Sequence, residues 1–147
     1  MSVEAIMTRT IVSVEPTATV REAIRLIEDT EIRHLPVVED RQLVGIVSDR
    51  DLREYRIPLM LEIERFGDPD RKRADEILDT AISEVMNTDL VSVDSSESIE
   101  SAIGAMLEYK VGAVPVVDRH TEELVGIVSY MDVLRYTREI LEEGEEG

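Results

Sequence analysis

The chain has 147 residues and a formal net charge of −17, from 16 Lys and Arg against 33 Asp and Glu. With 43% hydrophobic residues it can build one core, or two half-domains that share one. Its acidity disfavours nucleic acid and anionic membrane surfaces, whose binding is led by clustered Lys and Arg, and the absence of Cys removes disulfides, zinc–thiolate sites and cysteine nucleophiles together.

Met1–Ile11 contains no long apolar run, and nowhere do about 18 apolar residues stand in a row, so neither a signal peptide nor a spanning helix is expected. A cytoplasmic location follows as the expectation. Lys stands only at Lys72 and Lys110, and Arg supplies the other fourteen cations. This acidic, Lys-poor composition fits the cytosol of a halophile, where screening relieves self-repulsion.

Sliding the sequence over itself by 79 residues lays Met7–Asp40 on Met86–Arg119. Met7-Thr-Arg-Thr-Ile-Val-Ser-Val14 then faces Met86-Asn-Thr-Asp-Leu-Val-Ser-Val93, and Pro36-Val-Val38 faces Pro115-Val-Val117. A two-residue insertion changes the offset to 81, after which Leu43–Ser48 matches Leu124–Ser129 without a change and Asp51 falls on Asp132. Two copies of about 50 residues are too small to be independent and should bury apolar faces together.

In chain order, each copy opens with a short β-branched strand, Ile11–Val14 or Leu90–Val93. A helix follows. Thr19-Val-Arg-Glu22 has capping-box spacing, with Val20, Ala23, Ile24 and Ile27 on one face; in the second copy Ser98 caps and Ile99, Ala102, Ile103 and Met106 form the stripe. Strands are predicted at Leu35–Val38 and Leu43–Val47, and again at Val114–Val117 and Leu124–Val128, each pair joined by a short turn as an antiparallel hairpin. A closing helix is predicted from Ser48 or Ser129. Between the copies, Pro58, Leu59, Met60, Leu61, Ile63 and Phe66 suggest an apolar helix, Gly67–Asp70 a turn, and Arg71–Leu78 a second helix. Glu142–Gly147 reads as a disordered acidic tail. The expected domains are 1–55, a linker over 56–80, 81–137 and a tail over 138–147.

The tandem order Met-x-x-x-apolar-Val-Ser-Val, apolar-Pro-Val-Val and Gly-Ile-Val-Ser-x-x-Asp closely resembles the cystathionine β-synthase (CBS) domain pair, or Bateman module. The resemblance covers about Val3–Tyr55 and Ala81–Tyr136. It implies an α/β (α+β) fold of tandem CBS domains, each a small three-stranded sheet with two packed helices, related by a pseudo-twofold axis that leaves two clefts. It further implies association into homodimers, and adenosine-containing ligands in the clefts: AMP, ADP, ATP or S-adenosylmethionine. The motif hydroxyl would meet phosphate and the Asp carboxylate the ribose hydroxyls, which assigns Ser48 and Asp51 in one copy and Ser129 and Asp132 in the other.

The same spacing has a physical reading of its own. Ser and Asp three residues apart at a strand-to-helix junction stand beside backbone N–H groups, where phosphate is favoured. Equally, Ser-x-x-Asp is nearly a capping box and can serve the helix alone, worth about 1 kcal/mol. The residues before each proline line the cleft by resemblance, giving Arg33 and His34 as phosphate contacts, with Arg50 as a third, and Gly112 and Ala113 as an uncharged counterpart. The bland alternatives are a surface ion pair for Arg33 and a packed neutral imidazole for His34. The resemblance further implies Thr10, Ile11, Asp89 and Leu90 as adenine-side positions. Tyr130 could stack on a base or simply pack, and His120 is read as an exposed turn residue.

Catalysis finds little support, with no Cys, no Gly-rich phosphate loop, no Gly-x-Ser-x-Gly and no His-Glu-x-x-His pattern, and two distant His offer no transition-metal spacing. The expectation is therefore a non-enzymatic regulatory sensor with no required cofactor, its ligand state transmitted to a regulated protein. The alternative is a ligand-independent dimerisation or scaffold module with vestigial clefts.

Overall fold

The computed structural model describes residues 1–57 and 69–146. Pro58, Leu59, Met60, Leu61, Ile63 and Phe66, and the opening of the Gly67–Asp70 turn, lie outside the described residues. The named elements run α1 (Val20–Thr30), β1 (His34–Glu39), β2 (Gln42–Ser48), α2 (Pro69–Leu78), β3 (Val93–Asp94), α3 (Ile99–Tyr109), β4 (Ala113–Val117), β5 (Leu124–Ser129) and α4 (Tyr130–Glu146).

Local signals set most of these boundaries. The Thr19 hydroxyl accepts from the Glu22 N–H at 3.2 Å while the Glu22 carboxylate accepts from the Thr19 N–H at 3.1 Å, closing the capping box of α1. Val20, Ala23, Ile24 and Ile27 are its buried face. Ser98 caps α3 by accepting from Ser101 at 3.0 Å, above buried Ile99, Ala102 and Met106, with Ile103 half-buried. β1 and β2 join through Asp40 and Arg41, both at positive φ (50° and 68°), the backbone that a two-residue hairpin turn requires. β4 and β5 pair antiparallel from Ala113↔Ser129 to Val116↔Gly126, with a register shift before Val117↔Leu124.

Three expectations are corrected. The opening strands shrink to β3 in the second copy and to the single parallel bridge Val14↔Val37 in the first. The reason lies in the neighbouring prolines. Val14 donates to the Pro36 carbonyl at 3.1 Å and accepts from the Val38 N–H at 2.8 Å; the preceding rung would need an N–H at position 36, which proline lacks, and Pro115 stands at the matching place. The closing helix does not begin at Ser48, since turns and a 3-10 segment at Arg53–Tyr55 follow it. Conversely, the acidic tail is not disordered through its described length: α4 continues to Glu146, carried by strong helix formers and an i,i+4 pair between Arg138 and Glu142 at 3.8 Å.

The chain divides into two compact units that cut across the sequence copies. Unit I comprises Met1–Ile11, Arg41–Leu43 and Val91–Gly147; unit II comprises Val12–Asp40 and Val44–Leu90. In unit I, Val3 and Met7 join Val93, Ala102, Met106, Val114, Val116 and Val128 in the core. In unit II, Leu78 and Ile82 join Val20, Ala23, Ile24, Leu35, Val37 and Val47. Backbone bridges follow the same plan: Ser2↔Ser98 and Thr8↔Ile127 in unit I, and Thr19↔Ala81 and Ile46↔Asn87 in unit II.

The motif glycines permit this exchange. A Cβ on Gly126 would stand 2.5 Å from Met7 Sδ and 3.1 Å from the Thr8 carbonyl oxygen; one on Gly45 would stand 2.5 Å from Met86 Sδ. Each opening methionine thus crosses the bare backbone of the glycine in the other copy.

Candidate ligand-binding sites

In unit II, β1 and β2 bring Arg33 and His34 beside the Ser48–Asp51 turn, because the Asp49 N–H donates to the Arg33 carbonyl at 2.8 Å. Asp51 Oδ2 accepts from the Ser48 N–H at 2.9 Å and the Ser48 hydroxyl accepts from the Asp51 N–H at 3.1 Å. The capping arrangement is therefore complete without a ligand. It uses only one oxygen of an exposed carboxylate: among the described residues no donor reaches Asp51 Oδ1. Arg33 and Arg50 are exposed.

Burial pushes the His34 imidazole below its ordinary value of 6.5, with Asp51 pulling it back up and Arg33 pushing it further down. At neutral pH His34 is thus an uncharged ring beside Asp51. Phosphate recognition here would rest on Arg33 and Arg50, with His34 adding charge only in acid. Arg56, which the sequence reading did not single out, bonds Asp49 and Glu28 at 2.6 Å each and so steadies the turn from outside. Asp89 and Leu90 follow the Asn87–Ile46 bridge in the same unit. The Asp89 N–H donates to Asn87 Oδ1 at 2.9 Å, and neither residue bonds the Ser48–Asp51 turn.

In unit I the same bond recurs, with the Tyr130 N–H donating to the Gly112 carbonyl at 3.1 Å. Ala113 is buried and pairs in register with Ser129. Thr10 and Ile11 follow the Thr8–Ile127 bridge, so the first copy's opening segment belongs with the second copy's motif. Tyr130 is 55% exposed, and His120 is exposed in the β4–β5 turn.

Asp132 differs sharply from Asp51. It is 8% exposed, the one buried charged residue among those described. Its Oδ2 accepts from the Ser129 N–H at 2.9 Å and the Ser129 hydroxyl at 3.1 Å; its Oδ1 accepts from the Thr8 hydroxyl at 3.3 Å and from Arg135 at 3.4 Å. The sequence reading missed Thr8, although the repeat sets it against Asn87, a different side chain at the same position.

Among the described residues no group of three or more His, Asp or Glu could hold a metal ion, and no helix is long and apolar enough to cross a membrane.

Comparison with known proteins places these features. The CBS domain family profile matches residues 3–57 and 82–139. The chain is similar to the CBS domain-containing protein YhcV of Bacillus subtilis, 33% identical over 132 residues, 90% of this chain and 82% of that protein. Several other curated relatives are longer, and the chain spans less than half of each. Among solved structures, the AcuB protein of Vibrio cholerae superposes with a TM-score of 0.77 at 31% identity, covering 100% of this chain and 97% of that one. CBSX2 of Arabidopsis thaliana, solved in complex with AMP, gives 0.75 at 27% identity, covering 95% and 97%.

Proposed function

The chain belongs to the CBS domain family, and from that premise we propose that it is a non-catalytic regulatory module that binds an adenosine nucleotide in unit II. The observation that carries this reading is the Ser48–Asp51 turn: an exposed carboxylate with one oxygen open, beside Arg33, His34 and Arg50. The open oxygen suits vicinal ribose hydroxyls, and the two arginines suit phosphate. The AMP complex of the similar CBSX2 supports the same ligand class.

Binding acts on a partner protein only through differential affinity for two arrangements of the module. A homodimer in the cytoplasm is part of this proposal, supported by the exposed apolar residues Tyr130, Leu134 and Leu141, which share one face of α4. The completed Ser–Asp caps favour a second reading, a ligand-independent scaffold.

Thermal unfolding at high salt with AMP, ADP, ATP and S-adenosylmethionine in turn separates the two. A ligand at about one hundred times its Kd stabilises by about 2.7 kcal/mol, or a midpoint rise of about 5–10 °C for a chain of this size. No rise with any of the four would leave the scaffold.

A further inference from the structure

The two Ser-x-x-Asp motifs have the same residue types at the same spacing, yet only one carboxylate is filled from within the protein. On Asp132, two hydroxyls converge: Ser129 Oγ donates to Oδ2 at 3.1 Å, and Thr8 Oγ1 lies 3.3 Å from Oδ1 and 3.5 Å from Oδ2. Two hydroxyls presented to the two oxygens of one carboxylate is also what a vicinal diol offers. On Asp51 neither partner exists. The Ser48 hydroxyl accepts from the Asp51 N–H at 3.1 Å, as the Ser129 hydroxyl does from the Asp132 N–H at 3.4 Å, but it makes no bond to the Asp51 carboxylate, and the Asn87 side-chain carbonyl accepts from the Asp89 N–H.

The backbone around positions 8 and 87 is equivalent, so at this pair of positions the difference lies in the side chain. Thr8 exchanges backbone bonds with Ile127 at 2.8 and 3.0 Å, and Asn87 with Ile46 at 2.9 and 3.1 Å. These are repeat-related pairs.

We propose that Thr8 is a specificity-determining residue: with Ser129 it occupies Asp132 as an internal stand-in for the ribose diol, so that the Ser129–Asp132 site takes adenosine nucleotide more weakly than the Ser48–Asp51 site. This rests on the nucleotide reading above. A ligand diol at Asp132 must displace the Thr8 hydroxyl, whereas at Asp51 it meets an open oxygen. Position 8 against position 87 thereby sets the order in which the two sites fill.

The test is calorimetric titration of the full chain with AMP and with 2′-deoxyAMP at high salt. In an Asp51→Asn background, which weakens the Ser48–Asp51 site, Thr8→Val is expected to tighten AMP about three- to tenfold, the range for one net hydrogen bond of ordinary strength. Thr8→Ser, which keeps the hydroxyl, should leave affinity unchanged. The gain should vanish with 2′-deoxyAMP, which lacks the competing diol. In the otherwise unsubstituted chain, Asn87→Thr should install the same obstruction and weaken the stronger site by a similar factor. Thermal melts without ligand verify that each variant is folded. Equal AMP affinity for Thr8→Val and Thr8→Ser, or a gain that persists with 2′-deoxyAMP, would overturn the role of Thr8 while leaving nucleotide binding intact. Absence of AMP binding by the unsubstituted chain would overturn both.

Discussion

The Ser48–Asp51 and Ser129–Asp132 sites begin as copies and end as opposites. Each carboxylate accepts from its serine N–H at 2.9 Å, so the local motif folds alike in both. Beyond that bond, Asp51 is exposed with an open oxygen, and Asp132 is buried under Thr8, Ser129 and Arg135. The charges around them diverge as well, since Arg33, His34 and Arg50 face Gly112, Ala113 and Met131 across the repeat. The difference teaches that a short motif defines the cap, while residues brought from elsewhere in the chain decide whether the site is open. In a protein of charge −17, an incoming phosphate needs local cations; Arg33 and Arg50 stand exposed beside the motif in unit II, whereas Arg135 in unit I is bonded to Asp132 itself.

The largest way to break this comparison is to remove each carboxylate in turn. Asp51→Ala should abolish the nucleotide-induced rise of about 5–10 °C in unfolding midpoint, and Asp132→Ala should retain most of it. Equal losses would make the sites equivalent. The glycines come next, because a methyl group at either would overpack the crossing methionine at about 1–3 kcal/mol. Gly126→Ala should be the more damaging by chemical denaturation, since the Thr8 carbonyl at 3.1 Å is backbone and cannot swing away as Met86 can.

Smaller effects separate the helix caps. Ser98→Ala should cost about 1 kcal/mol and Thr19→Ala somewhat less, because the Glu22 carboxylate still holds the backbone N–H of residue 19 after the substitution, whereas Ser101 has no carboxylate to offer. The pH response is the smallest and belongs to unit II alone, where His34 stands against Ala113. Its folded pKa is lowered from 6.5, so the unfolded chain binds the extra proton. Its contribution to stability is complete above pH 6.5 and is lost as the pH falls below that value toward the folded pKa. His34→Ala should flatten that part of a stability–pH profile, and an unchanged slope would remove His34 from the account.

What could be read from the sequence follows the range of each interaction. The capping box at Thr19, the α1 stripe and the hairpins depend on partners a few residues apart, and all are present. The opening strands were over-read because β-branched composition at Ile11–Val14 says nothing about the missing N–H of Pro36 on the strand beside it. The exchange of Met1–Ile11 and Ala81–Leu90 between units was not legible in periodicity, although the matched Met7, Met86, Gly45 and Gly126 are its sequence trace. At the candidate site, spacing shows the Ser–Asp caps, while contact of Arg33, His34 and Arg50 with a ligand belongs to the proposed function. The Thr8–Asp132 bond spans 124 residues, and only the Thr–Asn difference between copies hinted at it.

The most direct measurement is the electron density of crystals grown with one molar equivalent of AMP at high salt. The account predicts nucleotide in unit II, its ribose on Asp51 and its phosphate toward Arg33 and Arg50, with Thr8 still bonded to Asp132. Nucleotide seated first on Asp132, with Asp51 vacant, would contradict it.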